Sequence, residues 1–346
     1  MHSQECNHIL VSDSIDVRAV GGFSSSNAYL LLSDSKQLLF TDFRYASAAT
    51  DFCRANPPWN FIPVAETGFS FLREHLPGGS VVGIESNTMT LDTYRALRAQ
   101  LKGVKLKFLG SAVSALAVVK SEEEVKLMRR CARIGEQALH FTLEQLRCGM
   151  SERDVKSILE QECLRLGSQK PSFDTIVLFG ARSALPHGVP SSRRLVLGDW
   201  VLFDFGCMID GLCSDMTRTV VMGRASEQQR RIYDTVLKAQ NAARKNICAG
   251  MPASTADAFA RDIITQAGYG ERFGHATGHG VGYRVHEEPR VSTKNHQPLP
   301  VGAVVTVEPG IYIPGFGGVR IEDMVYLKGE QSTLLTRFPR NLIEVG

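Results

Sequence analysis

The chain has 346 residues, 43% hydrophobic and 22% charged, enough for two ordinary domains of a globular protein. Its 39 Lys and Arg against 36 Asp and Glu leave a net charge of +3, too balanced for a nucleic-acid partner or an acidic membrane surface. No apolar run reaches the roughly 20 residues of a membrane helix: the best, AVSALAVV at 112–119, is too short, and MHSQECNHILVS reads as lacking a signal peptide.

In chain order, HILVS (8–12), NAYLLLS (27–33), QLLFTD (37–42), FIPVA (61–65), SVVGIES (80–86) and VKLKFLG (104–110) read as strands. Residues 44–55, 67–76 and 90–102 read as helices between them, the last carrying Leu91, Tyr94, Leu97 and Leu101 at helical spacing. That alternation predicts a small α/β domain over 1–118, with no cluster suited to chemistry. Residues 111–120 read as a linker. A second domain, 119–346, opens with a capping box, Ser121 with Glu124, ahead of the stripe Val125, Met128, Cys131 and Ile134. Ser151 with Asp154 starts a second helix ending near Gly167, Ser226 with Gln229 a third ending near Gly250, and a fourth spans about 254–267. Strands are expected at 174–179, 200–206, 215–222 and 303–308. Helix, helix, strands occurs twice in this order, which hints at an internal duplication too faint to read residue by residue.

Eight cysteines, Cys6, Cys53, Cys131, Cys148, Cys163, Cys207, Cys213 and Cys248, include no C-x-x-C pair. Neither a zinc ribbon nor a redox motif is supported, and free thiols in a reducing cytoplasm are expected. Cys207 and Cys213 lie near the residues discussed next, where packing is their expected role.

Four carboxylates stand out by context. Asp204 ends VLFD, Asp215 precedes the apolar run MTRTVVM, Glu308 ends AVVTVE before Pro309-Gly310, and Glu322 lies in GVRIEDMVYL. Singly, each reads as a solvated turn acid. Together, four acids among apolar strands would be costly to bury unpaired and would repel one another. Two adjacent antiparallel strands would set Asp204 and Asp215 side by side. Two divalent cations would compensate such a hard, oxygen-rich set, and a water between ions about 3.5–4 Å apart becomes a hydroxide nucleophile near neutral pH. The alternative compensation is a salt-bridge network through Arg218 and Arg320.

HATGHGVGYRVHEEP, 275–289, holds three histidines. Gly274, Gly278, Gly280 and Gly282 argue against a helix. The H-E-x-x-H zinc pattern fails, because His286-Glu287-Glu288 is followed by Pro289 and Arg290. No G-x-G-x-x-G opens a helix. On its own the stretch reads equally as a glycine-rich turn with solvated histidines.

FDFGCMIDGLCSDMTRT, GHATGHGVGYRVHEEP, VEPGIY and GVRIED, in this order and spacing, resemble the pita-bread-fold metallopeptidases, and within them the proline-directed branch of aminopeptidase P and prolidase. VRAVGGFSSSNAYLLL and LLFTDFRY echo that family's N-terminal domain, although HILVS begins almost at once where the family commonly leads with a helix. The resemblance implies an α/β (α+β) chain, a small creatinase-like domain followed by a catalytic pita-bread domain. It implies Asp204, Asp215, His279, Glu308 and Glu322 as ligands of two divalent ions, manganese first, with cobalt, iron or zinc as substitutes. Asp215 and Glu322 would bridge the ions, Asp204 would complete one shell, and His279 with Glu308 the other. Glu308 would also shuttle the water's proton. His286 would donate to the scissile carbonyl, His275 would line the substrate pocket, and His187, in ALPHGVP, would reach the leaving nitrogen. Arg320 would hold Glu322 or Asp215 in place, and Arg290 would bind a short substrate's carboxylate. Taken alone, His187 reads as a loop residue and Arg290 as a surface arginine. The implied enzyme is a cytoplasmic homodimer that cleaves the N-terminal bond of peptides with proline second. EPGIY, GVRIED and the N-terminal domain speak against a methionine aminopeptidase. A non-enzymatic peptide-binding relative would need a lost ligand, and a serine hydrolase would need a G-x-S-x-G elbow; neither is found.

Overall fold

The structure, a computed structural model, describes residues 6–65 and 68–346. They divide into two compact units, the first ending at Ala117 and the second running from Val118 to Gly346.

The first unit is built on β1 (His8–Val11), α1 (Ser14–Gly21), β2 (Ala28–Leu32), β3 (Gln37–Thr41), α2 (Ala46–Ala55), β4 (Trp59–Pro63), β5 (Val81–Ile84), α3 (Leu91–Gln100) and β6 (Lys105–Phe108). The strands make one six-stranded sheet in the order β4-β3-β2-β1-β5-β6. Period-two alternation divides its apolar residues between two faces. Val11, Leu30 and Leu39 pack with Val17 of α1 and Ala49 of α2. Their neighbours Leu10, Leu31 and Leu38 pack with Leu97 of α3. The sequence reading missed α1, an eight-residue helix capped by the Asp13 side chain. The helix expected at 67–76 is a 3-10 turn, Ser70–His75; residue 67 lies outside the described residues.

A buried carboxyl pair in this unit gives it a pH dependence. The Ser114 backbone N–H, at 2.9 Å, and hydroxyl, at 3.1 Å, both reach Glu85 Oε1, and the same hydroxyl is 3.2 Å from Asp16 Oδ2. Burial, opposed by the Ser114 amide and reinforced by the Asp16 charge, pushes the Glu85 carboxyl up to about 7. The folded unit therefore keeps a proton that the unfolded chain releases near the ordinary glutamate value of about 4.3. Stability is fully present below that value and is lost as pH rises through about 7. Glu85→Gln is expected to flatten this loss. Hydrogen exchange of the β1 and β5 amides at pH 5 and pH 8 measures it; equal pH dependence in variant and wild type would refute the assignment.

The second unit contains α4 (Glu122–Gln145), α5 (Glu152–Arg165), β7 (Lys170–Pro171), β8 (Ile176–Phe179), β9 (Trp200–Phe205), β10 (Cys207–Ile209), β11 (Leu212–Cys213) and β12 (Met216–Met222). It continues with α6 (Glu227–Asn246), α7 (Ala253–Gln266), β13 (Gly278–Gly280), β14 (Glu287–Val291), β15 (Val304–Val307), β16 (Gly310–Ile313), β17 (Gly317–Arg320), β18 (Asp323–Lys328), β19 (Gln331–Leu334) and β20 (Glu344–Val345). Capping boxes start α4, α5 and α6 at Ser121, Ser151 and Ser226, as the sequence predicts. The principal sheets are β20-β12-β9-β8 and β14-β13-β15-β18-β19. Each is covered by one helix pair. Ile134 and Leu139 of α4 and Val155 and Leu159 of α5 pack on Val177, Val201, Phe203 and Val220. Ile232 and Val236 of α6 and Ala256 and Ala260 of α7 pack on Val305, Val307 and Val325. No helix among the described residues is long and apolar enough to cross a membrane. All eight cysteines are free, and Cys207 and Cys213 are buried.

Candidate metal centre

The helix pairs claim one face of each sheet, and strand alternation delivers polar residues to the other. On β9, Val201, Phe203 and Phe205 enter the helix-side core, which turns Asp204 the opposite way. On β12, Met216 and Val220 take the core, leaving Thr217 and Thr219 on Asp204's side, with Asp215 two residues before Thr217. Strands β9 and β12 are antiparallel, with Asp204 opposite Thr217, so Asp215 lies just past the end of β12. On β15, Val305 and Val307 face the helices, while Thr306 and, two residues on, Glu308 face the centre. Glu322 follows Arg320 by the same step, in the gap between β17 and β18.

The histidine stretch is sheet rather than helix. His279 is the middle of β13, between β14 and β15. A Cβ at Gly278 would lie 1.9 Å from the Thr306 carbonyl oxygen, and one at Gly280 2.1 Å from that of Glu288. Only glycine lets the backbone lie this close on both sides of the histidine.

The structure brings Asp215, His279 and Glu322 together, one ligand atom from each lying within 4.8 Å of the others. His279 Nε2 is 3.3 Å from Glu308 Oε1 and 3.7 Å from Asp215 Oδ2. Its Nδ1 is 3.0 Å from the Gly280 carbonyl oxygen. A carbonyl can only accept, so Nδ1 carries a proton and Nε2 is the nitrogen that faces the carboxylates, free to offer its lone pair once its own proton is displaced. Arg320 donates to Asp204 Oδ2 at 2.6 Å, to Thr217 Oγ1 at 2.9 Å and to the Tyr312 hydroxyl at 2.8 Å. The partner expected for Arg320, Glu322 or Asp215, is thus corrected to Asp204; it reaches Glu322 only through Thr217, 2.6 Å from Glu322 Oε2.

Arg218, the other arginine considered as compensation, points away and pairs with buried Asp323 at 2.8 Å. Four carboxylates therefore share one guanidinium, with the His279 ring in contact with Glu308. Asp204 Oδ1 and Asp215 Oδ1 are buried without a hydrogen-bond partner. Burial, then the neighbouring acids, hold Asp215 well above the usual carboxylate range and Glu322 up to about 8. Burial pushes Glu308 up as well, but the hydrogen bond and charge of His279 override it and hold it down to about 2. Burial would lower His279; the same Glu308 contact instead raises it to about 9. A set of hard oxygens with excess negative charge, two of them unpartnered, fits divalent cations, which would take the place of the His279 proton.

The remaining predicted residues lie around this core. The His286 ring packs edge-on against His279 at 4.4 Å between centroids and is itself exposed. Its turn is fixed by Glu287, whose Oε1 accepts from the buried Lys120 Nζ at 2.5 Å. His187 is exposed on the loop after the 3-10 turn Gly180–Ala184; partial desolvation of the His286 ring on its His279 side lowers His286, with the charges of His279 and then His187 adding to it. Arg290 is exposed on β14. Both ring nitrogens of His275 are engaged, Nδ1 with the Ala276 carbonyl at 2.8 Å and Nε2 with the Tyr312 hydroxyl at 2.9 Å. Tyr312, Thr217 and Thr306 were not singled out in the sequence. Their signal was position: the two threonines lie two residues from a predicted ligand on one strand face, and Tyr312 closes EPGIY.

Residues 126–329 match the model of metallopeptidase family M24, and residues 1–131 that of the Creatinase/Prolidase N-terminal domain. The chain belongs to metallopeptidase family M24. A Xaa-Pro dipeptidase of Pyrococcus horikoshii is 36% identical over 99% of this chain and 96% of its own. Among solved structures, a Xaa-Pro dipeptidase from Bacillus anthracis superposes with a TM-score of 0.94 at 34% identity, covering 99% of this chain and 96% of that one. An X-Pro aminopeptidase from Thermotoga maritima superposes with a TM-score of 0.90 at 33% identity, covering 99% of both chains. The M24 chain thus has the expected creatinase-type N-terminal domain and pita-bread C-terminal domain, and it is a metal-dependent exopeptidase.

Proposed function

We propose that this M24 peptidase hydrolyses the bond between an N-terminal residue and a following proline, using two divalent ions, manganese first, with cobalt, iron or zinc as substitutes. The observation that carries the reading is the charge imbalance of the centre: among the described residues Asp204, Asp215, Glu308 and Glu322 meet one permanent cation, Arg320, and the His279 ring, and two buried oxygens lack a partner. Asp215 and Glu322 would be shared by both ions, Asp204 would belong to one, and His279 with Glu308 to the other. Bound there, the ions supply Lewis acidity and a water acidic enough to attack near neutral pH.

The chain's own residues do the rest. Glu308 starts as a carboxylate, accepts the proton of the attacking water and passes it toward the leaving nitrogen. His286 donates to the carbonyl oxygen as charge develops there. His187 reaches the leaving-nitrogen side, flanked by exposed Leu185 and Val189, an apolar rim suited to a prolyl ring. Arg290, exposed beside His286, binds the carboxylate of a short substrate. His275, tethered at both nitrogens, lines the pocket with its ring. Support for proline comes from the likeness to both a dipeptidase and an aminopeptidase acting on Xaa-Pro. Eight unpaired thiols support a cytoplasmic site. A homodimer belongs to the same reading and is checked by sedimentation.

The test is a paired assay. Metal-stripped protein is restored with Mn²⁺ and given Ala-Pro, Ala-Pro-Ala and Met-Ala-Ala separately. Cleavage of Ala-Pro alone identifies a dipeptidase; cleavage of Ala-Pro-Ala identifies an aminopeptidase. Cleavage of Met-Ala-Ala only would replace the proline reading with a methionine aminopeptidase. No cleavage with metal bound would favour a non-enzymatic peptide-binding relative.

A further inference from the structure

Two threonine hydroxyls in the centre have their roles set by what they accept. Thr217 Oγ1 receives the Nε–H of Arg320 at 2.9 Å and stands 2.6 Å from Glu322 Oε2. Thr306 Oγ1 receives the backbone N–H of His279 at 3.0 Å and stands 3.2 Å from Glu308 Oε1. Guanidinium and amide N–H groups can only donate. A ligating carboxylate is ionised and can only accept. Each hydroxyl proton must therefore go to its glutamate, and each threonine carries one bond in and one bond out.

Both threonines are fully buried. A buried threonine in a strand commonly serves as a β-branched filler, and valine fills the same volume. Here valine would leave Arg320 Nε or the His279 amide without an acceptor, and the glutamate oxygen without its donor. We propose that Thr217 and Thr306 are paired positioning residues. Each holds one oxygen of a glutamate so that the carboxylate's remaining lone pairs are turned toward a divalent cation. Thr217 additionally ties Glu322 to Arg320 and so to Asp204, while Thr306 ties Glu308 to the strand that carries His279. Two pairs of ligands are thereby fixed to each other through one hydroxyl each. This inference rests on the metallopeptidase reading.

The experiment measures cobalt binding, not turnover. Metal-free wild type, Thr217→Val, Thr306→Val, Thr217→Ser and Thr306→Ser are titrated with Co²⁺ by calorimetry and visible absorption. Each valine variant should bind Co²⁺ about 10–100-fold more weakly with an altered d–d spectrum, and each serine variant should return to within about threefold of wild type. A filler role predicts the reverse order, since valine keeps the methyl groups and serine loses one. Valine variants with wild-type affinity and spectrum, or serine variants no better than valine, would overturn the inference while leaving the metal centre in place. A wild type that takes up no cobalt would remove the metal centre and this inference together. If a valine variant does not fold, the alanine variant at that position provides the same comparison with serine.

Discussion

Asp215→Asn will produce a protein that is sturdier without metal than the wild type, yet unable to be rescued by it. Asp215 is buried, its Oδ1 has no partner, and Glu322, Asp204 and Glu308 crowd it with like charge. Those are costs that the metal-free chain bears so that a cation can repay them. Burial first, and the neighbouring acids second, raise its folded pKa well above that of the unfolded chain. Its contribution to stability is therefore present at low pH and lost as pH rises. Asparagine keeps the shape and removes the charge. At pH 7.5 the metal-free variant should melt roughly 2–4 °C above the metal-free wild type, the shift expected from about 1 kcal/mol in a domain of this size. Mn²⁺ should raise the wild-type midpoint and leave the variant's almost unmoved. With this proposed ligand gone, kcat/KM should fall roughly 10³-fold or more, since a metal supplies several kcal/mol of transition-state stabilisation. Metal analysis of both proteins is decisive: equal metal content would remove Asp215 from the ligand set.

The second large effect lies behind the centre, on the helix side of the sheets. Asp323 is completely buried and accepts from Arg218 Nη2 at 2.8 Å, Gln240 Nε2 at 2.6 Å, Thr336 Oγ1 at 2.7 Å and Arg340 Nε. Arg218 meanwhile donates to the carbonyl oxygens of Glu322, Thr217, Phe338 and Pro339. Asp323→Asn leaves one buried guanidinium and one partly buried one facing a neutral amide. Breaking a buried pair in this way costs about 3–5 kcal/mol. The thermal midpoint should drop by roughly 6–20 °C. Because Arg218 grips the backbone at Glu322, activity at a temperature where the variant is still folded should fall as well. A midpoint within about 3 °C of wild type would show that the network is not a main support of this unit.

The contrast between Arg218 and Arg320 shows where the sequence stopped being informative. Both sit in apolar strand contexts beside a candidate ligand, and both read as possible compensation. Which one faces the acids depends on strand face: Arg218 shares its side with Met216 and Val220, and Arg320 shares its side with Glu322. Register across the two sheets, not local pattern, then selects Asp204 as the partner of Arg320. The five proposed ligands were legible because each stands at a strand or turn with distinctive neighbours. Helix starts were legible because capping boxes are local. Strands of two to four residues, such as β10, β11, β13, β16 and β17, carry too little alternation to be seen. Helix α1 was hidden by its length and by the Gly21-Gly22 pair that ends it. The two hydroxyls were invisible in function because a threonine on a strand needs no special reason.

The hydrogen bond from Thr217 to Glu322 joins residues 105 positions apart in the chain. Closing a loop of that size carries an entropy penalty that must be met before any local reward arrives. Asp204 and Asp215 emerge from the ribosome as a lone pair of acids, long before Glu308 and Glu322 exist to join them. A half-made chain thus presents no complete chelate, and cations that bind pairs of carboxylates weakly can leave again. With the proposed ligand set, ion uptake would follow the closing of this unit rather than lead it, since the set is complete only once Glu322 has been made.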